Sequence, residues 1–396
     1  MKKILILGGS KFQVPLIALA KSRGCQVITC DNLPSNPGHA LADAYFEVST
    51  TDLPGVLDLA QQERIEAIAT FASDPSTRAV GFVCDALGLP GPSFAAVQTM
   101  TEKHLFRTAV QNLGLPTPQH VTFKPEDFAH ASLPLQSDWM IKPVDSSGSK
   151  GVSRLPRGFT PQDLQACLNK ALGYSVLGQC IAEEWLQGQQ LHGDGFMQDG
   201  RLVNHYLGRQ SFCTRHGGFG IWRTDWPSLQ PKSVQRDLAH QVELIAHHCG
   251  YRDGAMNIEA RVTPEGQVYI LEMGPRAGGN FIPVMHQHLT GLDTVLATLQ
   301  IALGQHVKAS PYPGLDVATV WTAHAHESGR FDHLWIHPDL APHCFFKKEF
   351  LSHADAVRPH VSFETAVATC LFEFDSLAQQ QHWVDQDERA VKVILS

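Results

Sequence analysis

The chain has 396 residues, enough for two to four domains and a sizeable buried core. Its 31 basic and 39 acidic residues leave a formal charge of −8, which argues against a general nucleic-acid or membrane-surface binder but leaves room for a local basic pocket. Nine cysteines without a CxxC pair read as reduced thiols of a cytoplasmic protein, the 21 histidines are scattered rather than strung as metal ligands, and no stretch is long enough for a membrane span.

In chain order, residues 4–7 are a short apolar run closed by Gly8-Gly9-Ser10, which fits a first β-strand better than a signal peptide. A helical segment from Val14 to Lys21 and a strand from Gln26 to Cys30, ending at Asp31, make the βαβ opening of a doubly wound sheet. A third strand at Ala44–Val48, a helix near Leu53–Gln62, a fourth strand at Ala67–Phe71 and a helix at Ser76–Leu87 complete an N-terminal α/β domain over residues 1–95. Asp31 and Asp74 close two of these strands. They read first as turn formers, and Asp74 alternatively as a residue lining a pocket. A helix containing Lys103 leads to the Pro/Gly cluster at 114–118, a domain edge. From there to 305 the strands take on antiparallel character, with a hairpin over 261–271 turning at Pro264-Glu265-Gly266. Residues 306–396 read as a third, small α+β domain.

Three segments carry chemistry. In the first, the strand at Ile141-Lys142-Pro143 delivers a lysine into the loop Ser146-Ser147-Gly148-Ser149-Lys150-Gly151. Small residues let backbone N–H groups approach phosphate oxygens, and the lysine adds a point charge. The order is not that of a Walker A loop, and a plain surface loop is the alternative. The second segment places Glu259 and Glu272 on the two arms of the hairpin. Carboxylates side by side on adjacent strands repel unless a cation lies between them, and Mg²⁺ takes one or two carboxylates plus phosphate oxygens. A solvated strand face is the bland alternative. Arg276, just beyond, has the charge and fork to steady a phosphorylated carboxylate. The third segment, Glu183-Glu184-Trp185-Leu186, offers a strand edge and an apolar wall to a purine; alone it reads as an ordinary strand and turn.

Taken in this order and spacing, the three segments resemble the ATP-grasp superfamily, which includes D-alanine–D-alanine ligase, L-amino-acid ligases, biotin carboxylase and the carbamoyl phosphate synthetase large chain. The resemblance covers roughly residues 1–305. It implies an N-terminal doubly wound parallel-sheet domain, a two-lobed nucleotide-binding domain over 96–305 and a small C-terminal α+β domain over 306–396. By that resemblance, Lys103 and Lys142 are the phosphate-contacting lysines, and Ser146, Ser147, Gly148, Ser149 and Gly151 form the loop over the phosphates. Glu183, Glu184, Trp185 and Leu186 make the adenine hinge, with Gln190 at the ribose position. Glu259 and Glu272 are the magnesium ligands and Arg276 steadies the acyl phosphate. Two residues depart from the pattern: Gly274 stands where many members have a metal-completing asparagine, and Gln190 where many have glutamate. Asn280, in Arg276-Ala-Gly-Gly-Asn280, is a candidate substrate contact, and Arg215 and His216, in a loop over 209–220, are candidates at the mouth of the site.

The expected activity is an ATP-dependent, ADP-forming ligase that converts a carboxylate to an acyl phosphate and joins it to an amine, with Mg²⁺ or alternatively Mn²⁺. The implied partners are small-molecule substrates and a second copy in a homodimer, with no nucleic acid or membrane. Within the class, carboxyphosphate or a non-amino-acid nucleophile is the alternative. A non-catalytic nucleotide-binding module and an NAD-dependent oxidoreductase are the readings from other classes.

Overall fold

The computed structural model describes residues 2–213, 220–311, 316–359 and 365–396. Strands β1 (Lys3–Leu7), β2 (Gln26–Cys30), β3 (Ala44–Phe46) and β4 (Ala67–Thr70) pair in parallel in the order β3-β2-β1-β4. Their near-continuous apolar character follows from burial on both faces. Ile4, Ile6 and Val27 pack beneath α1 (Val14–Ser22), whereas Leu5, Leu7 and Ile28 meet α2 (Leu53–Glu63) and α3 (Asp74–Leu87) on the other side. Two further helices, α4 (Phe94–Thr101) and α5 (Lys103–Asn112), lead out of this unit.

Next comes an antiparallel sheet made of β5 (His120–Phe123), β6 (Trp139–Pro143), β7 (Ser153–Leu155) and β8 (Cys180–Glu184), in the order β5-β8-β6-β7. It is backed by α6 (Pro161–Leu172), whose start is fixed by a reciprocal Thr160–Asp163 capping box.

The largest sheet begins with β9 (Gln189–Gln198), β10 (Arg201–Cys213) and β11 (Gly220–Trp226). After α7 (Lys232–Cys249) it continues through β12 (Gly254–Val262) and β13 (Val268–Gly274), the predicted hairpin. Helices α8 (Ile282–Thr290) and α9 (Thr294–Ala302) follow. The last stretch holds β14 (Val317–Ala323), β15 (Gly329–Ile336), β16 (Cys344–Glu349), β17 (Ala356–Val357), β18 (Ala368–Phe374), α10 (Leu377–Asp385) and β19 (Val391–Leu395). Three of these strands extend the large sheet, which runs β13-β12-β9-β10-β11-β14-β18-β16; the others form a small sheet, β17-β15-β19. The C-terminal segment is therefore hydrogen-bonded into the central sheet through β11 and β14.

Two packing arrangements position the site. Met256, Ile258 and Ile270 of the hairpin strands bury against Val242 and Ile245 of α7 and Phe106 and Val110 of α5. That contact holds the carboxylate-bearing hairpin rigid and brings the start of α5 to its edge. In addition, α9 returns to the N-terminal unit, where Ala297, Leu299 and Ala302 share a core with Ile4, Ile6 and Leu16. The N-terminal sheet is thereby docked onto the chain just past the hairpin.

Candidate functional site

A cleft of about 550 Å³ opens along the faces of the β5–β8 sheet and the large sheet. Its wall brings together Lys103, Lys142, Glu259, Glu272 and Arg276, together with Ser146 to Ser149, Glu183 to Leu186, Gln190 and Asn280. Gly151 is not on that wall. At φ +74°, with a Cβ position 2.9 Å from the Pro143 ring and 3.0 Å from Tyr174, it closes the loop from behind.

The two glutamates stand directly opposite each other in the β12–β13 register, beside a bulge in which Leu271 is the extra residue of β13. Burial, and then the neighbouring Glu272 carboxylate, push the Glu259 carboxyl up to about 7. Lys103 Nζ lies 3.8 Å from Glu272 Oε2. Among the described residues no group of three or more His, Cys, Asp or Glu side chains could hold a metal ion. A pair of carboxylates that repel each other in a partly desolvated cleft is a donor set for Mg²⁺, whose remaining positions go to phosphate oxygens and water.

The lysines are held in place. Lys103 opens α5; its backbone N–H donates to Val144 O at 2.8 Å and its Nζ to Ser146 O at 2.8 Å, which ties the helix start to the loop. Lys142 Nζ donates to Glu183 Oε2 at 2.6 Å, and Arg107 Nε donates to Glu183 Oε1 at 2.7 Å. Arg107 and Glu183 are 1% and 2% exposed. Burial alone would raise the Glu183 carboxyl, but the two cations outweigh it and hold the group well below the usual carboxylate range. The Glu183 side chain is thus committed inside the protein, and its backbone lies within the sheet, opposite Met140 of β6 and His120 of β5, so its part in the site is to hold Lys142. Arg107 also caps the hairpin, donating to Leu271 O at 2.7 Å and Ile270 O at 3.3 Å, so one buried guanidinium links both sheets.

In the hinge segment, Trp185 N–H donates to Asp138 O at 2.8 Å, and Leu186 O accepts from Arg261 Nη1 at 3.0 Å. The guanidiniums of Arg154 and Arg261 lie 4.6 and 4.8 Å from the Trp185 ring centre. Gln190 accepts from Arg261 Nη2 at 2.6 Å and donates from Nε2 to Glu259 Oε2 at 3.2 Å. An amide satisfies both neighbours, whereas a glutamate here would set a third carboxylate against the pair.

Beyond the hairpin, Arg276 makes a two-pronged ion pair with Asp74 at the start of α3, its Nε donating to Oδ1 at 2.7 Å and its Nη2 to Oδ2. Asp74 is therefore more than a turn former. Asp31 is one, accepting from Leu33 N–H at 3.3 Å and Asn36 Nδ2 at 2.8 Å, and it also ties this turn to the first loop by accepting from Gly9 N–H at 3.2 Å. The space over Gly9, where a dinucleotide pyrophosphate would need access, is filled by the His39 imidazole, 2.2 Å from a Cβ at Gly9. Asn280 is largely buried; its amide donates to Thr322 Oγ1 at 2.8 Å and accepts from Thr369, which couples the turn to β14 and β18. Asn280 and Phe281 both take left-handed backbone, with φ of 51° and 60°, a strained approach to α8. Arg215 and His216 lie outside the described residues.

Sequence reasoning missed Arg107, Arg261 and a polar cluster behind the carboxylates. His192 pairs with Glu259 across β9–β12, and Asn257 donates to Asp194 Oδ1 at 2.9 Å. Both Asp194 oxygens accept from Gly278 N–H, at 3.0 and 2.9 Å. Burial pushes Asp194 up to about 6 and His192 down to about 4. The available signal was polar residues at every second position of β9, Gln190, His192 and Asp194, on one face of a buried strand.

No family model matches the chain. A curated relative, the formate-dependent phosphoribosylglycinamide formyltransferase of Burkholderia mallei, is 27% identical over 337 residues, covering 78% of this chain and 74% of that protein. Among solved structures, the L-amino acid ligase from Bacillus licheniformis superposes with a TM-score of 0.81 at 17% identity, over 100% of this chain and 99% of that one. The N5-carboxyaminoimidazole synthetase from Staphylococcus aureus, complexed with ADP, superposes with a TM-score of 0.73 at 14% identity, over 97% and 96%. The parallel N-terminal sheet, the large antiparallel sheet and these likenesses show that the chain shares the fold of these solved structures, as the ATP-grasp resemblance implied.

Proposed function

We propose that the chain is an ATP-dependent ligase that activates a carboxylate as an acyl phosphate and couples it to an amine, releasing ADP and phosphate. The observation that carries this reading is the Glu259–Glu272 pair, set in register in a cleft that also holds Lys103 and Lys142. Mg-ATP supplies the phosphoryl group, with Glu259 and Glu272 as the residues that hold the metal; Mn²⁺ is the ion to test as a substitute. Lys103, Lys142 and the loop from Ser146 to Ser149 neutralise phosphate oxygens, which is most of what phosphoryl transfer asks of a protein. Glu184, Trp185, Leu186 and Gln190 border the nucleoside. Arg276 steadies the oxyanion that forms when the amine attacks, and Asn280 orients the turn beside it.

The test is ADP release screened over paired carboxylates and amines, with product masses. Formate belongs in the screen because the curated relative is formate-dependent. Release that needs both partners supports the reading; nucleotide binding without ADP release under every pair rejects it in favour of a binding module. No helix among the described residues is long and apolar enough to cross a membrane. We place the enzyme in the cytoplasm, acting on small molecules, with a homodimer as the assembly to check by light scattering.

A further inference from the structure

Gly274 departs from the asparagine that the ATP-grasp resemblance leads one to expect, and its backbone does not explain the glycine, because its φ lies outside the left-handed region. Space does. A Cβ built at Gly274 would meet Asp74 Oδ1 at 2.8 Å, with Arg276 Nε at 3.6 Å and Cζ at 3.7 Å. The volume that a side chain at 274 would take is occupied by a carboxylate arriving from the N-terminal unit, 202 residues away from its partner in sequence. Asp74 and Arg276 are both on the cleft wall, with side chains 18% and 13% exposed.

Asp74 takes the Nε and one Nη2 hydrogen of Arg276, and Ala277 O accepts from Nη1 at 3.0 Å. A guanidinium has five N–H donors in a rigid fork. These bonds fix the plane of the fork and engage three donors, leaving two to meet a ligand from a set direction.

We infer that Asp74 is the positioning residue for Arg276, and that position 274 is glycine because the Asp74 carboxylate fills its side-chain space. The N-terminal unit thereby sets the aim of an arginine carried by the large sheet. The first half of this inference rests on the ligase reading, since turnover reports the arginine's aim; the second half is independent of activity.

The spatial half is tested with a double-mutant cycle on Asp74→Ala and Gly274→Ala, read by thermal unfolding and by calorimetric titration with MgADP. Gly274→Ala in the otherwise native chain is expected to lower the unfolding midpoint by several degrees. In the Asp74→Ala background, where the space is vacated, it is expected to cost about a degree or less. An equal cost in both backgrounds overturns the spatial claim. For the positioning half, Asp74→Ala is expected to lower kcat by about 10- to 100-fold while KM for ATP stays within about twofold, because a misaimed group costs rate rather than nucleotide affinity. Asp74→Asn, which keeps the volume but offers one acceptor in place of two, is expected to fall between the native chain and Asp74→Ala. An unchanged kcat in Asp74→Ala overturns the positioning role. A native chain that binds MgADP but turns over no substrate pair overturns the ligase reading and with it the positioning role, leaving the spatial claim to be decided by the cycle.

Discussion

Replacing Glu272 with glutamine separates stability from function in a way that a structural carboxylate would not. Glu272 sits directly across from Glu259, and like charges in that register are destabilising by up to about 1 kcal/mol. Two features pull the figure in opposite directions. Glu259 lies in a desolvated wall, which strengthens the repulsion, while the Glu272 side chain is 37% exposed, which lets solvent screen it. Lys103 Nζ, 3.8 Å from Glu272, compensates only part of the excess negative charge. The net expectation is that Glu272→Gln stabilises the metal-free chain by about 0.5–1 kcal/mol, a rise of about 0.5–2 °C in unfolding midpoint. With Glu272 a metal ligand, as proposed, the same substitution should shrink the stabilisation that MgADP gives the native chain to the level given by ADP without metal. The assay is thermal unfolding of both proteins in chelator, in ADP with chelator and in MgADP. A variant that is less stable without metal and keeps the full MgADP shift would refute the argument.

Other outcomes follow from the same contacts. Glu183→Gln leaves the buried Arg107 cation and the partly buried Lys142 cation underpaired and should cost about 3–5 kcal/mol at neutral pH, measured by urea unfolding. Because the folded Glu183 carboxyl is depressed below its unfolded value of 4.5, its stabilisation is fully present above that pH and is lost as the pH falls below it. The acid limb of the native stability profile should therefore be steeper than that of Glu183→Gln; parallel limbs would contradict the pairing. Lys142→Ala should weaken MgATP binding by at least about tenfold in calorimetry, and an unchanged dissociation constant would remove this lysine from the phosphate site. Gly278→Ala, whose Cβ would lie 2.7 Å from Asp194 Oδ1 and 3.0 Å from Asn257 Nδ2, should lower the unfolding midpoint by several degrees. Retention of the native midpoint would show that the turn after Arg276 is not pinned by Asp194.

What the sequence made legible is what obeys local periodicity or close spacing. The parallel sheet could be read because buried parallel strands are short apolar runs, and the hairpin because its turn and its two glutamates lie within one local unit. The ion pairs and hydrogen bonds that hold the site join residues far apart in the chain: Arg107 with Glu183 and Leu271, Asp74 with Arg276, Asn280 with Thr322 and Thr369. No spacing rule reaches across such separations. The same holds for α9, which falls within the expected 96–305 domain yet completes the N-terminal core. It also holds for 306–396, whose strands β14, β16 and β18 extend a sheet begun more than a hundred residues earlier. Asp74 shows the limit most clearly, since a strand-end aspartate and an arginine's partner look alike until the fold brings the arginine to it.

The most direct measurement follows the oxygen. With the carboxylate and amine that give ADP release, the carboxylate is supplied labelled with ¹⁸O and the liberated phosphate is analysed by mass. An acyl phosphate made in this cleft predicts one ¹⁸O in each phosphate released, and phosphate that carries none would contradict it.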